Sequence, residues 1–340
     1  MGPSMRRPTI DDVAQAAGVS RAAVSKVLRE AYGVSDDMRA RVGRAIEELG
    51  YRPRVAARAM RGTTSTIGIM VPISRTSFFD DVLAGASRQL DGSGYQLILA
   101  AADAAHRSGQ RALEALADRQ VDGVIALSPM VEPAWLEEYA KRTPLVELGR
   151  HDETRYYDTV VGDDTVGAEQ VMRHLLENGH TAILHVTHDD PVINAPTPPS
   201  LRRAAYERTM KEAGLAHEID VVLALFDERI AAERMRAALE AGSRPTAIFA
   251  GNDDAALGVL RAIAEFGLDP RGIAVCGYDN SRIASHPLIQ LTSVDQEGER
   301  MGQLAAQLLL ERFGGRTQAC REVIVPQLIV RSSSLGLMPR

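Results

Sequence analysis

Arg21, Ala22, Ser25, Lys26 and Arg29 fall three and four residues apart, so a helix through them puts all five on one side. That side is small and basic. Guanidinium and ammonium groups donate hydrogen bonds to guanine edges and phosphate oxygens, and small neighbours let a helix enter a major groove. The chemistry on offer is recognition of double-stranded DNA. Covalent chemistry has no comparable signal: there is no GxSxG, no GxxxxGK[ST] and no HExxH, and neither GAEQ nor GND makes a dinucleotide fingerprint. We therefore expect no enzyme and no cofactor. Cys276 and Cys320 stand far apart without CxxC spacing, which implies two core thiols and neither a disulfide framework nor a zinc site. His185, His188, Asp189 and Asp190, followed by four prolines, invite a metal reading. Their spacing fits no established site, so residues 185–200 are expected to be a solvated loop and no metal is expected.

Two short helices and a tight turn must hold that basic face. Ile10, Val13, Ala14 and Ala17 recur at helical spacing, with Thr9 as N-cap and Asp11 and Asp12 in a first turn that favours negative charge. Gly18 can take the left-handed conformation that ends a helix, and Val19 fills the angle. Ser20 caps the second helix, whose inner face is Ala23, Val24, Val27 and Leu28. Helix–turn–helix is the reading, and an ordinary helical hairpin is the alternative. A third helix follows over residues 36–50, capped by Ser35, ended by Gly50 and apolar at Met38, Val42, Ile46 and Leu49. The basic, Ala-rich piece after Pro53 is either a plain linker or a segment that folds on DNA.

A formal net charge of -6 argues against a nucleic-acid binder, but the average hides an asymmetry. Residues 1–62 carry 12 Lys and Arg against 7 Asp and Glu, and the remainder carries 27 against 38. A basic head on an acidic body suits a DNA-binding module joined to something with another task. At 340 residues there is room for two or three compact units. The N-terminus has no apolar run of the signal-peptide kind and no window is apolar enough to span a membrane, so a cytoplasmic protein is expected. From Thr66 the texture changes to strands near residues 66–73, 95–102, 121–128, 143–149 and 157–164, with helices between them. A second round has strands near 181–188, 221–227, 246–253, 273–280 and 291–294. Such alternation means α/β architecture, here two doubly wound parallel sheets whose ligands bind at the carboxyl ends of the strands. Trp135 opens a helix pattern and is expected to pack.

The run TIDDVAQAAGVSRAAVSKVL, followed by VSDDMRARVGRAIEELGYRPRVAARAMR, resembles the head of the LacI/GalR family of bacterial transcriptional regulators. The body from about Thr66 to Arg331 resembles that family's periplasmic-binding-protein-like effector domain. The resemblance implies a helix–turn–helix domain at 1–52, a hinge at 53–65, an N-lobe at 66–162 with 297–322 and a C-lobe at 163–296 with 323–340. It places Arg21, Ala22 and Lys26 at base edges, and Ser20, Ser25 and Arg58 at phosphates. It makes Met60 a wedge in the minor groove and Ala57 the small contact between paired hinges. Thr9, Arg29 and Arg54 complete the set expected at DNA. Strand-end matches put Ser74, Phe78, Phe79, Asp163, Arg202, Phe226, Asn252, Asp279 and Gln296 around an effector. Without the family match, Asn252 and Asp279 can equally cap the helices that follow.

The function implied is a homodimeric repressor that leaves a palindromic operator when a small sugar binds between the lobes. The alternative is a corepressor-dependent regulator of a purine or other metabolite. A transport solute-binding protein ranks lower, because it predicts a signal peptide and no basic head.

Overall fold

The structure, a computed structural model, describes residues 8–28, 31–51, 64–73, 76–103, 106–188, 196–225, 227–269 and 272–335. In its first unit, Met1–Thr64, the described residues form three helices. Helices α1 (Ile10–Ala17), α2 (Arg21–Val27) and α3 (Asp36–Leu49) each begin at a side-chain cap, supplied by Thr9, Ser20 and Ser35. At Thr9 the cap is reciprocal: the Thr9 hydroxyl accepts from the Asp12 amide at 3.3 Å and the Thr9 amide donates to the Asp12 carboxylate at 2.7 Å. Gly18 and Gly50 end α1 and α3 at φ 64° and 59°, a conformation costly for any residue with a Cβ. Val13, Ala14 and Ala17 meet Val24, Val42, Ala45 and Tyr51 in a small core.

The second unit, Ser65–Arg340, is built on two sheets. The first alternates β1 (Thr66–Pro72), α4 (Ser77–Leu90), β2 (Gln96–Ala102), α5 (His106–Asp118), β3 (Gly123–Leu127), α6 (Pro133–Ala140), β4 (Leu145–Leu148) and β5 (Asp158–Gly162). The second continues with α7 (Asp164–Glu177), β6 (Ile183–Thr187), α8 (Pro198–Glu212), β7 (Asp220–Leu223), α9 (Glu228–Glu240), β8 (Ala247–Ala250), α10 (Asp253–Glu265), β9 (Ala274–Tyr278) and β10 (Thr292–Asp295). The chain then returns to the first lobe for α11 (Gly298–Phe313) and β11 (Arg321–Ile324), and ends in the second with β12 (Gln327–Ile329). Strand orders are β11-β5-β4-β3-β1-β2 and β12-β10-β9-β8-β6-β7, and every pairing is parallel except β10 with β12. Central strands such as β3, β5 and β9 are buried along their whole length, as parallel strands covered on both faces must be.

The return helix α11 is the largest element that the strand–helix alternation does not mark. It lies against α4 so closely that backbones touch. A Cβ on Gly85 would sit 1.9 Å from the Glu299 carbonyl oxygen, and one on Gly302 would sit 1.9 Å from that of Val82. Its far end is tied to β5, where buried Asp158 accepts from Arg312 at 2.7 and 2.8 Å and from Arg316 at 2.8 and 3.0 Å.

Three expectations are corrected. The last lobe crossing lies after Ile324, because Val323 and Ile324 pair with Val161 and Gly162 in the first sheet. His185, read both at the end of a strand near 181–188 and at the start of a loop over 185–200, belongs to the strand: it lies in β6, fully buried, its ring 4.5 Å from that of Phe249 and 5.1 Å from that of Tyr206. Residues 198–200 likewise belong to α8, whose first turn accepts Pro198 and Pro199 because amides there need no intrahelical partner. Residues 189–195 lie outside the described residues. Trp135 packs on Tyr139, with ring centroids 5.3 Å apart.

Candidate functional site

On α2, Arg21, Ala22 and Lys26 are exposed and Ser25 is half-buried. Val24 holds the helix down from the opposite side at 0% exposure. Arg21 lies 3.8 Å from the equally exposed Asp11, a weak pair that a phosphate or base edge can displace. Ser20 and Thr9 spend their side chains on helix caps. Arg29, Arg54, Ala57, Arg58 and Met60 lie outside the described residues.

Between the two lobes of the second unit is a cavity of about 400 Å³. It opens where the strand order of each sheet reverses, beyond the ends of β1, β3 and β4 on one side and β6, β8 and β9 on the other. Arg202, in the first turns of α8, is its polar centre. Its Nε donates to Asp164 at 2.7 Å, Nη1 to the Gly251 carbonyl at 2.7 Å and Nη2 to Gln296 Oε1 at 3.4 Å. The guanidinium carbon lies 3.6 Å from the centre of the Tyr278 ring, which fixes the plane of the fork. Tyr278 fits only because position 167 is glycine: a Cβ there would lie 2.1 Å from the phenol oxygen.

Around that fork the other groups are held in turn. Gln296 donates to Asp279 at 2.6 Å. Burial pushes the Asp279 carboxyl well above the usual range, although Arg202 pulls the other way. Asn252 caps α10 through its oxygen, 2.8 Å from the Ala255 amide, which leaves its buried amide nitrogen without a partner at the cavity wall. Asp164 also accepts from His151 Nε2 at 3.0 Å, while Arg321 donates to His151 Nδ1 at 3.2 Å. That arrangement puts the ring proton on Nε2. His151 therefore joins the loop after β4, in the first lobe, to the pocket carboxylate of the second. Its amide also donates to the Pro196 carbonyl at 3.3 Å, beside the cavity.

The first lobe contributes a different texture. Phe78 and Phe79 sit in the opening turn of α4, with ring centroids 5.8 Å apart, and Ile73, Met130 and Met301 continue the wall. Arg150 also reaches the cavity: its Nη1 donates to the Pro129 and Val131 carbonyls and its Nε to Asp152 at 3.3 Å, while its buried Nη2 lies 2.8 Å from the same carboxylate without making a hydrogen bond.

Two models of known families match this chain. That for bacterial regulatory proteins of the lacI family covers residues 9–54, and that for the periplasmic binding protein-like domain covers 172–334. The ribose operon repressor of Escherichia coli (strain K12) is 33% identical over 337 residues, spanning 96% of this chain and 99% of the relative. The chain belongs to the LacI family. It is a transcriptional regulator with a DNA-binding head. Among solved LacI-family structures, the transcriptional regulator CelR in complex with cellobiose is 30% identical, with TM-score 0.69, covering 96% of this chain and 100% of that one. A LacI family regulator from Enterococcus faecium with bound ribose is 26% identical, with TM-score 0.70, covering 80% and 99%.

Of the residues expected around an effector in this LacI-family chain, Phe78, Phe79, Arg202, Asn252, Asp279 and Gln296 line one cavity. Asp163 is corrected: its carboxylate accepts from the Val166 amide at 3.1 Å as the cap of α7, and the neighbouring Asp164 faces the cavity. Ser74 and Phe226 lie outside the described residues. Arg150, Tyr278 and His151 are additions. The charged run GRHDETRYYD between two apolar strands is a signal for the first and last of these that the sequence reading did not use. No helix among the described residues is long and apolar enough to cross a membrane. No group of three or more His, Cys, Asp and Glu able to hold a metal occurs among them.

Proposed function

We propose that this protein is a homodimeric cytoplasmic repressor, released from a roughly palindromic operator when a small sugar occupies the cavity between its lobes. The observation that carries the reading is the cage around Arg202. One fork is held by a carboxylate, a carbonyl, an amide and a ring, next to an Asn252 donor that has no protein partner. Vicinal hydroxyls donate and accept at once, and a convergent set of fixed donors and acceptors suits them. The ribose and cellobiose associated with the relatives point the same way. Arg202, Asp164, Asn252, Asp279 and Gln296 hold the ligand, and Phe78 and Phe79 stack on it. Arg21 and Lys26 read bases. Ligand at Asp164 also acts on His151, so occupancy biases how the lobes meet, a two-state coupling of about 1–3 kcal/mol.

For the dimer, β2 is the edge strand of the first sheet and presents exposed Ile98 and Leu99. A second copy covers that strand across a two-fold axis, which matches the two half-sites of a palindrome. The test is anisotropy of a labelled palindromic duplex titrated with protein, then with a panel of sugars and nucleobases. A sugar that releases the duplex from the parent protein but not from Arg202→Ala supports the reading. A salt-insensitive complex, or tightening by a nucleobase, overturns it.

A further inference from the structure

We infer that Arg331, which does not touch the cavity, is a positioning residue for it: through Asn280 it holds Asp279 in the conformation that meets the ligand. This rests on the reading of the cavity as a sugar site. Asp279 directly follows β9 and lines the cavity, whereas Asn280 and Arg331 do not.

The turn that carries Asp279 is strained. Asp279 and Asn280 stand at φ 102° and 45°, the only adjacent pair of non-glycine residues with positive φ among the described residues. Asp and Asn visit that region singly, but two in succession persist only where the surroundings hold them. The holding groups are all in place. The Asn280 amide donates to Ser293 Oγ at 2.9 Å, and that hydroxyl donates to buried Asp253 at 2.6 Å. Ser281 follows, its amide and its hydroxyl each donating to the other Asp253 oxygen at 2.7 Å. The Asn280 side-chain nitrogen donates to Asp295 at 2.9 Å, and its oxygen accepts from Arg331 Nη2 at 2.7 Å. An acceptor on one side and a donor on the other settle which end of the carboxamide points where.

The tie to Arg331 is the one that comes from farthest along the chain. Arg331 follows β12, after the last return to the second lobe. It is itself anchored: Nη1 donates to the Leu291 carbonyl at 2.7 Å, and the Arg331 amide donates to Thr292 Oγ1 at 2.8 Å. A charge-assisted bond from an anchored donor holds the turn firmly. Without it the free protein relaxes the turn, and a ligand must restore Asp279 before it can bind. Apparent affinity then falls with the fraction of molecules that keep the turn. Glycine separates conformation from contact, because it takes a positive φ without strain and has no side chain to bond.

Isothermal titration calorimetry on the full-length protein tests this with D-ribose, D-glucose, D-galactose and cellobiose, and urea melts show that each variant is folded. Arg331→Met keeps the bulk of the side chain and loses its donors. For a sugar that the parent binds, Arg331→Met and Asn280→Ala each weaken binding by about ten-fold or more. Asn280→Gly stays within about three-fold of the parent, and Arg331→Met/Asn280→Gly binds as Asn280→Gly does. A tie that only closes the end of the chain onto the lobe gives a different pattern. Asn280→Gly then loses as much as Asn280→Ala, or the loss in Arg331→Met persists in the Asn280→Gly background. Either result overturns the inference, as does parent-like binding by Arg331→Met, and each leaves the sugar reading intact. If the parent binds none of the four, the sugar reading fails and takes the inference with it.

Discussion

Arg21 stands on the exposed face of α2 with only a loose partner in Asp11, so its guanidinium is available to a guanine edge. Replacing it with alanine should cost about 1–3 kcal/mol of operator affinity and relax preference at one base position, as gel shifts against single-base operator variants at fixed salt would show. Equal losses on every duplex would make it a phosphate contact instead. His185 is the opposite case, a charge-capable group denied its charge. Burial lowers its pKa to about 4, against a hydrogen bond from the ring to the Phe249 carbonyl that pulls upward. The unfolded chain binds that proton near pH 6.5, so acid favours unfolding from about 6.5 down to about 4, where the folded state takes the proton as well. His185→Phe should remove this loss. Urea melts should show the variant losing stability more slowly than the parent on acidification across that window, by up to about 1.4 kcal/mol per pH unit. At this scale the family motif located Arg202 and its neighbours, but not which of Asp163 and Asp164 turns inward. One acid caps α7 and the next lies on its inner side, so the answer depends on the helix starting at one residue rather than the adjacent one. Local spacing does not fix that.

The helix pair α4–α11 shows what alternation of strands and helices leaves out. Residues 298–313 carry no start signal: Glu297 precedes them at φ 55° without capping through its side chain, and Gly298 and Gly302 weaken the opening turns. Those features are demanded by something distant in sequence, the approach of α4 to within backbone contact. Gly302→Ala should therefore destabilise the body by about 1–3 kcal/mol, towards the upper end because the obstacle is the Val82 carbonyl rather than a movable side chain. The same substitution in an exposed helix would stabilise it, which gives the denaturation midpoint an unambiguous sign. Strands β11 and β12 are similar in origin, four and three residues long and defined by what they pair with. The three helices of the head, by contrast, were legible down to the caps, because Thr9, Ser20, Ser35, Gly18 and Gly50 act within their own turns.

At the scale of the whole molecule, the division of labour follows the charge. A basic head of 62 residues suits DNA, and an acidic body keeps its own surface off it. Two copies are needed to read two half-sites, and β2 is where we place the join. Leu99→Lys should turn the dimer into a monomer in sedimentation and weaken operator binding in parallel; a variant that stays dimeric with full affinity would move the interface elsewhere. Parallel sheets, two lobes and the cavity between them could be read from the order of elements. The contact that ties the lobes together could not, since His151 meets Asp164 and Pro196 only after both lobes have folded. That contact has a consequence in time. The His151 amide donates to the Pro196 carbonyl and its ring to Asp164, both across the lobes and beside the cavity, so parting the lobes breaks two hydrogen bonds at once. If effector exchange requires that parting, the regulator will average its supply over the opening time, which stopped-flow release from His151→Ala, expected to be faster than from the parent, would show.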